Sequence, residues 1–221
     1  MPDSVPSTED EVLERLEDEI AFLAENLAVA CGEIDELAYE LDDHLAENDL
    51  ERVESAVNQL EGLLDEEVAG DLVSLARLCA VRDGHPADED RNDPPVPTLT
   101  ADELPPFVPD QDQEDEDEAR IDNLRERMGT VADHLRSLFS FTSDRFGSAR
   151  TAAEHGYVGR SLSELRLARK AAAEVPPGYK LWMRCLNDLY LVSPSSLGAY
   201  GHMLMDFEAF LQAERPGRAS G

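Results

Sequence analysis

The sequence predicts an all-α protein in three parts: an N-terminal antiparallel, coiled-coil-like helical hairpin, a disordered acidic Pro-rich linker, and a small C-terminal helical domain. Three observations predict it. Apolar residues recur at steps of three and four along most of the chain, and no convincing period-two run occurs. Proline and acid concentrate between residues 83 and 118, which hold seven of the 13 prolines and 14 Asp/Glu. The charge also changes near residue 118. Residues 1–118 hold 38 Asp/Glu against five Arg and no Lys, a formal −33, and residues 119–221 come to +3, so the total of −30 joins two unlike halves. The expected boundaries are 1–7 for a disordered start, 8–82 for the hairpin, 83–118 for the linker, 119–214 for the C-terminal domain and 215–221 for a disordered tail.

The first element is the clearest. Leu13, Leu16, Ile20, Leu23, Leu27, Ala30, Ile34, Leu37 and Leu41 follow at steps of three and four without a miss, a heptad seam with a at 13, 20, 27, 34 and 41. Thr8 with Glu11 forms a capping box, so the helix is expected over about 8–46. Position e carries Glu17, Ala24, Cys31, Ala38 and Leu45, mostly small or apolar, which widens the stripe beyond a bare two-stranded seam. Asn48-Asp49 breaks the helix and starts a second, whose stripe runs from Leu50 through Val57, Leu64 and Leu72 to Cys79. A short turn between long helices makes them antiparallel neighbours. Their wide stripes call for further cover, either by a second copy or by the C-terminal half. Leu13, Leu16, Ile20, Leu23, Leu27, Ile34, Leu37 and Leu41 are therefore the candidate self-association residues, and the expected assembly is a homo-oligomer, a dimer in the first instance.

Proline density and like-charge repulsion oppose compaction of the linker. Leu104, Phe107 and Val108 interrupt its polarity as a candidate docking motif. A third helix starts near 114, with Ile121, Leu124, Met128, Val131, Leu135 and Leu138 inward. Ala149–His155 reads as a short helix ended by Gly156. Ser161 with Glu164 opens another that Pro176-Pro177-Gly178 closes. Leu181 to Tyr190 forms the next, and Ser193-Pro194 starts the last, with Leu197, Tyr200, Leu204, Phe207 and Leu211 inward.

High acidity with Arg strongly preferred to Lys resembles the proteins of halophilic archaea, which work in molar cytoplasmic salt. Carboxylates hold water and cations, and salt near 1 M shortens the Debye length to about 3 Å, so self-repulsion is screened. Acidity is then first a solubility device. Three cysteines without C-x-x-C spacing read as reduced thiols, and the acidic residues 1–10 lack the apolar run of a secretory signal. The longest uncharged run, Leu189–Met205, is too short and interrupted to span a bilayer. The expected location is cytoplasmic, without membrane contact.

Catalytic signatures are missing from the sequence. Neither Lys170 nor Lys180 sits in a Gly-Lys-Ser/Thr context, and no Gly-x-Gly, His-Glu-x-x-His or Gly-x-Ser-x-Gly occurs. No His has an acidic residue three positions before it, so the Glu-x-x-His of a di-iron bundle is absent. No catalytic residue, metal ligand or cofactor site is assigned. His44 and His134 are read as ordinary helix residues rather than phosphoacceptors.

Two basic features stand out. Arg120, Arg125, Arg127 and Arg136 line the third helix, and Arg160, Arg166, Arg169 and Lys170 cluster after Gly156. Residues 151–174 have a helix-turn-helix look, with Gly156 in the turn and Leu162 and Leu165 anchoring a second helix. The expectation is a non-enzymatic adaptor or assembly protein of a salt-adapted cytoplasm. It would self-associate through the hairpin and bind a protein partner through the C-terminal domain. The alternative is a DNA-binding regulator that reads DNA with the segment 151–174, with Arg160, Arg166, Arg169 and Lys170 at the contact.

Overall fold

The computed structural model describes residues 8–47, 49–84, 94–100, 103–105 and 114–193. Five helices account for nearly all of them: α1 (Thr8–Ala46), α2 (Leu50–Leu63), α3 (Glu66–Asp83), α4 (Glu114–Glu154) and α5 (Val158–Val192). The chain is all-helical, with no strand among the described residues. The expected helix carrying Leu197 to Leu211, the segments 1–7 and 215–221, and Phe107 and Val108 lie outside the described residues.

Two compact units are formed. The first takes residues up to Thr98 together with Leu135–Pro176, and the second takes Leu99–His134 together with the chain from Pro177 onward. The helices of residues 8–83 thus share a unit with part of the region read as a separate C-terminal domain.

In the first unit α1 packs on both α2 and α3. Ile20, Leu23, Leu27, Ile34, Leu37, Leu41 and Leu45 are buried, the face that the heptad steps specify. Each such burial contributes about 1.5–3 kcal/mol of transfer free energy. The second stripe is divided where one helix over 50–82 was expected. Leu64 ends α2, and the Asp65 carboxylate accepts hydrogen bonds from the Glu67 and Val68 backbone N–H groups at 2.9 and 3.1 Å. A side chain that satisfies the orphan donors of a new helix competes with continuation of the old one. The step from Leu64 to Val68 therefore spans a helix break. Asp49 caps α2 in the same way, accepting from Arg52 N–H at 3.1 Å.

Three contacts fix how α4 lies on α1. Arg136 pairs with Asp42, Ser143 Oγ donates to the Asp35 carboxylate, and a Cβ on Gly147 would stand 3.8 Å from Cys31 Sγ. Each step forward along α4 is matched by an equal step back along α1, so the two run antiparallel in a fixed register. The fully buried Ser161 hydroxyl donates to Ala149 carbonyl at 2.8 Å, and Arg145 pairs with Glu164 at 3.0 Å, which ties the first turns of α5 to α4.

The short helix expected over 149–155 is the end of the 41-residue α4, because nothing between Ile121 and Glu154 breaks the ladder. The stop expected at Pro176-Pro177 is also corrected, since α5 passes through both prolines. Pro176 and Pro177 have no N–H, so the carbonyls of Ala172 and Ala173 lack their helical donors. Burial around them carries the helix across: Val175, Trp182, Met183, Leu186 and Leu189 are all buried. The division between the units falls at this proline pair.

The second unit is organised by Leu124, Met128 and Val131 of α4 and by Trp182, Cys185, Leu186 and Leu189 of α5, all buried. Part of the region read as linker is placed here. The Glu103 carboxylate accepts from the Thr100 backbone N–H and hydroxyl, at 2.6 and 2.9 Å, and closes a turn. Arg127 donates to the Pro105 carbonyl.

Candidate docking surface

The seam residues are used within the chain. Leu27, Ile34 and Leu41 are almost fully buried, Ile20, Leu23 and Leu37 nearly so, Leu16 is half-buried and Leu13 is half-exposed. In this fold most of the face nominated for self-association is covered by the chain's own helices.

A different apolar row is open on α1. Phe22 and Val29 are 62% and 57% exposed, and Tyr39 is 78% exposed. Phe22, Val29 and Glu36 all occupy heptad position c, on the side of the helix away from the seam, spaced about 10.5 Å apart. Ala21, Ala28 and Gly32 beside them are exposed, and a Cβ on Gly32 would meet nothing within 4 Å. Sequence reasoning passed over this row because the heptad seam dominates the periodicity, although two large apolar residues at a c position were a readable signal.

The row leads into a groove of about 460 Å³ between α1 and α2, lined by Glu33, Glu36 and Glu40 on one side and Gln59, Gly62 and Leu63 on the other. A neighbouring hollow reaches His44, Arg52 and Ser55. His44 is tucked in, its side chain 12% exposed and its Nε2 3.8 Å from the Glu40 carboxylate. Apart from Arg15, every formal charge on α1 is negative: 14 Asp/Glu lie between Thr8 and Ala46.

The helix-turn-helix segment folds as a tight turn between α4 and α5. The Gly156 and Tyr157 N–H groups donate to the Ala153 and Ala152 carbonyls, both at 2.9 Å, with Gly156 at φ +79°. This is a Schellman ending for α4. A Cβ on Gly156 would lie 3.0 Å from Ala80 Cα, so the turn is pressed against α3. Of the four nominated cations, Arg169 donates from Nε to the Leu64 carbonyl at 2.8 Å and also to the Asp65 carbonyl, satisfying the open end of α2. Arg160 stands 4.0 Å from Glu164. Arg166 and Lys170 are exposed one turn apart.

A polar cleft of about 370 Å³ is lined by Cys31, Asp35, Ser143, Asp144, Thr151 and Arg160, among others. Ser143 is held by Asp35, and the Thr151 hydroxyl donates to the Gly147 carbonyl at 3.0 Å. Burial pushes the Cys31 thiol up, with Asp35 and Glu154 adding to the rise and Arg150 opposing it. Burial likewise raises the Cys79 and Cys185 thiols. A protonated thiol is a weak nucleophile, and no histidine lines the cleft to act as its base.

Among the described residues no group of three or more His, Cys, Asp or Glu side chains is arranged to hold a metal ion. No described helix is long and apolar enough to cross a membrane. No protein family, curated protein or solved structure matches this chain.

Proposed function

We propose that this chain is a non-enzymatic interaction protein that holds another protein's helix against the outer face of α1. One observation carries the reading: Phe22 and Val29 stay exposed on the face opposite a seam that the chain itself fills. Phe22 and Val29 lie on one line of α1 beside a charged groove, and a helix laid along that line would use anchors at i and i+7. The raised thiols and the hydroxyls engaged by neighbouring groups favour binding over group transfer. The acid-rich, Lys-poor composition supports a salt-adapted cytoplasm as its setting. The DNA-reading alternative rests on Arg166 and Lys170, two cations where a duplex contact needs many.

A photo-crosslinking amino acid at Phe22 tests this, with exposed Glu51 of α2 as the control position. In lysate of the source cells, irradiation is expected to give a discrete protein adduct from position 22 and none from 51. Adducts from neither position, or equally from both, would contradict the proposal.

A further inference from the structure

We infer that the occupant of this face is a basic amphipathic helix of a partner protein, whose apolar anchors lie over Phe22 and Val29 and whose Lys or Arg side chains enter the Glu33–Glu36–Glu40 groove. The inference rests on the interaction reading above and adds the partner's chemistry.

The geometry supplies the anchors. Phe22 and Val29 are one heptad apart on one line of α1, and Ala21, Ala28 and Gly32 leave room for a second helix to approach closely. Along the same line the next heptad position is Glu36, which with Glu33 and Glu40 forms one wall of the groove. The groove's volume of about 460 Å³ leaves room for the end of a long side chain, and its opposite wall supplies the Gln59 amide oxygen as a further acceptor and Gly62, where a Cβ would meet nothing within 4 Å. A cation entering there meets three carboxylates within two turns of helix. Lys and Arg stems also cover apolar surface while their heads stay polar, which suits a surface that passes from Phe22 and Val29 to glutamates.

At the moderate salt of the test below, charge selects against a second copy of this chain. An α1–α1 pairing on this face would set Glu25, Glu33, Glu36 and Glu40 against their own equivalents, and α1 brings only Arg15 to offset 14 acids. Like charges brought face to face disfavour a pairing, and opposite charges specify one.

The test uses the full-length chain and four fluorescein-labelled helical peptides, read by fluorescence anisotropy. Three share leucines at i and i+7 and differ in flanking residues: Lys/Arg, Gln or Glu. The fourth is a scramble of the Lys/Arg peptide with the same charge and no heptad. In about 0.2 M KCl, where the Debye length is below 10 Å, the basic peptide is expected to bind about tenfold or more tighter than the Gln peptide, the Glu peptide and the scramble. Phe22→Glu/Val29→Glu should lower that affinity by about tenfold or more, as loss of central anchors does. Glu36→Gln/Glu40→Gln should bring the basic peptide down to the Gln peptide. All these positions are exposed, and circular dichroism of each variant checks that the helices are retained.

Equal binding of the basic and Gln peptides, both abolished by Phe22→Glu/Val29→Glu, would overturn the charge inference and leave helix docking standing. No peptide binding, or binding indifferent to Phe22→Glu/Val29→Glu, would overturn both. A dimer mass in light scattering that Phe22→Glu removes would name a second copy as the occupant instead. Tighter peptide binding after truncation at Ser193 would name the chain's own residues 194–221.

Discussion

Gly156 stands with its Cα against the Ala80 backbone, so close that an added Cβ would lie 3.0 Å from both Ala80 N and Cα. The glycine is doubly required, because its φ of +79° is in the left-handed region as well. Gly84, at φ +66°, also ends a helix but faces open space. Gly156→Ala is expected to lower stability by about 2–4 kcal/mol, left-handed strain plus overpacking, against about 1–2 kcal/mol for Gly84→Ala. Urea unfolding of both variants checks the difference. Equal losses would mean that the α4–α5 turn does not press on α3.

Arg169 is a tether between α5 and the end of α2. Arg169→Ala should cost about 1–3 kcal/mol, since it leaves the Leu64 carbonyl without its charged donor, and Lys should restore only part because it lacks the planar fork. Arg166→Ala/Lys170→Ala, on the exposed side, should stay within about 0.5 kcal/mol of the parent. Thermal melts of the three variants decide it. The reverse ranking would return Arg169 to the role of a surface contact.

Burial holds the Asp188 carboxyl above the usual aspartate range, and Arg120 and Arg127 pull it only partly back. A carboxyl whose folded value is raised favours the folded state while protonated, and that stability is lost as pH rises from its ordinary range through the folded value. Asp188→Asn is therefore expected to melt slightly higher than the parent at neutral pH, and the two should converge as pH falls into the aspartate range. A melting difference that widened on acidification would give the opposite sign and contradict the assignment.

A formal −33 over residues 1–118 means that self-repulsion works against the folded chain at low salt. Melting temperature should rise by several degrees between about 0.1 and 2 M KCl, as the Debye length falls from about 10 Å to below 3 Å. A salt-independent melt would remove the salt-adapted reading.

The heptad steps from Leu13 to Leu41 made the all-helical class and the inner face of α1 legible, because burial of one stripe is a local demand written into periodicity. What covers that stripe was not legible. The pairings of Asp42 with Arg136 and of Asp35 with Ser143 join residues some hundred positions apart, and no local pattern encodes them. The break at Asp65 was readable, since Asp65-Glu66-Glu67 is an N-cap followed by acids in a first turn, but the apolar stripe ran across it. Pro176-Pro177 misled for the opposite reason: the local rule is sound, and the burial of Trp182, Leu186 and Leu189 overrides it. The role of Arg169 was hidden because a cation on a surface helix looks the same whether it faces solvent or another helix's carbonyls.

The central claim is that α1 fills its seam within one chain, lying antiparallel on α4 in the register that sets Cys31 beside Gly147. Gly147→Cys tests it directly, with exposed Gly129→Cys as the control. Under mild oxidation the expected result is an intrachain disulfide between Cys31 and the thiol introduced at position 147, in a protein of monomer mass. Faster non-reducing migration and a peptide map would show it, with no such bond from position 129. Failure to form that bond, or its formation only between two chains, would contradict the account.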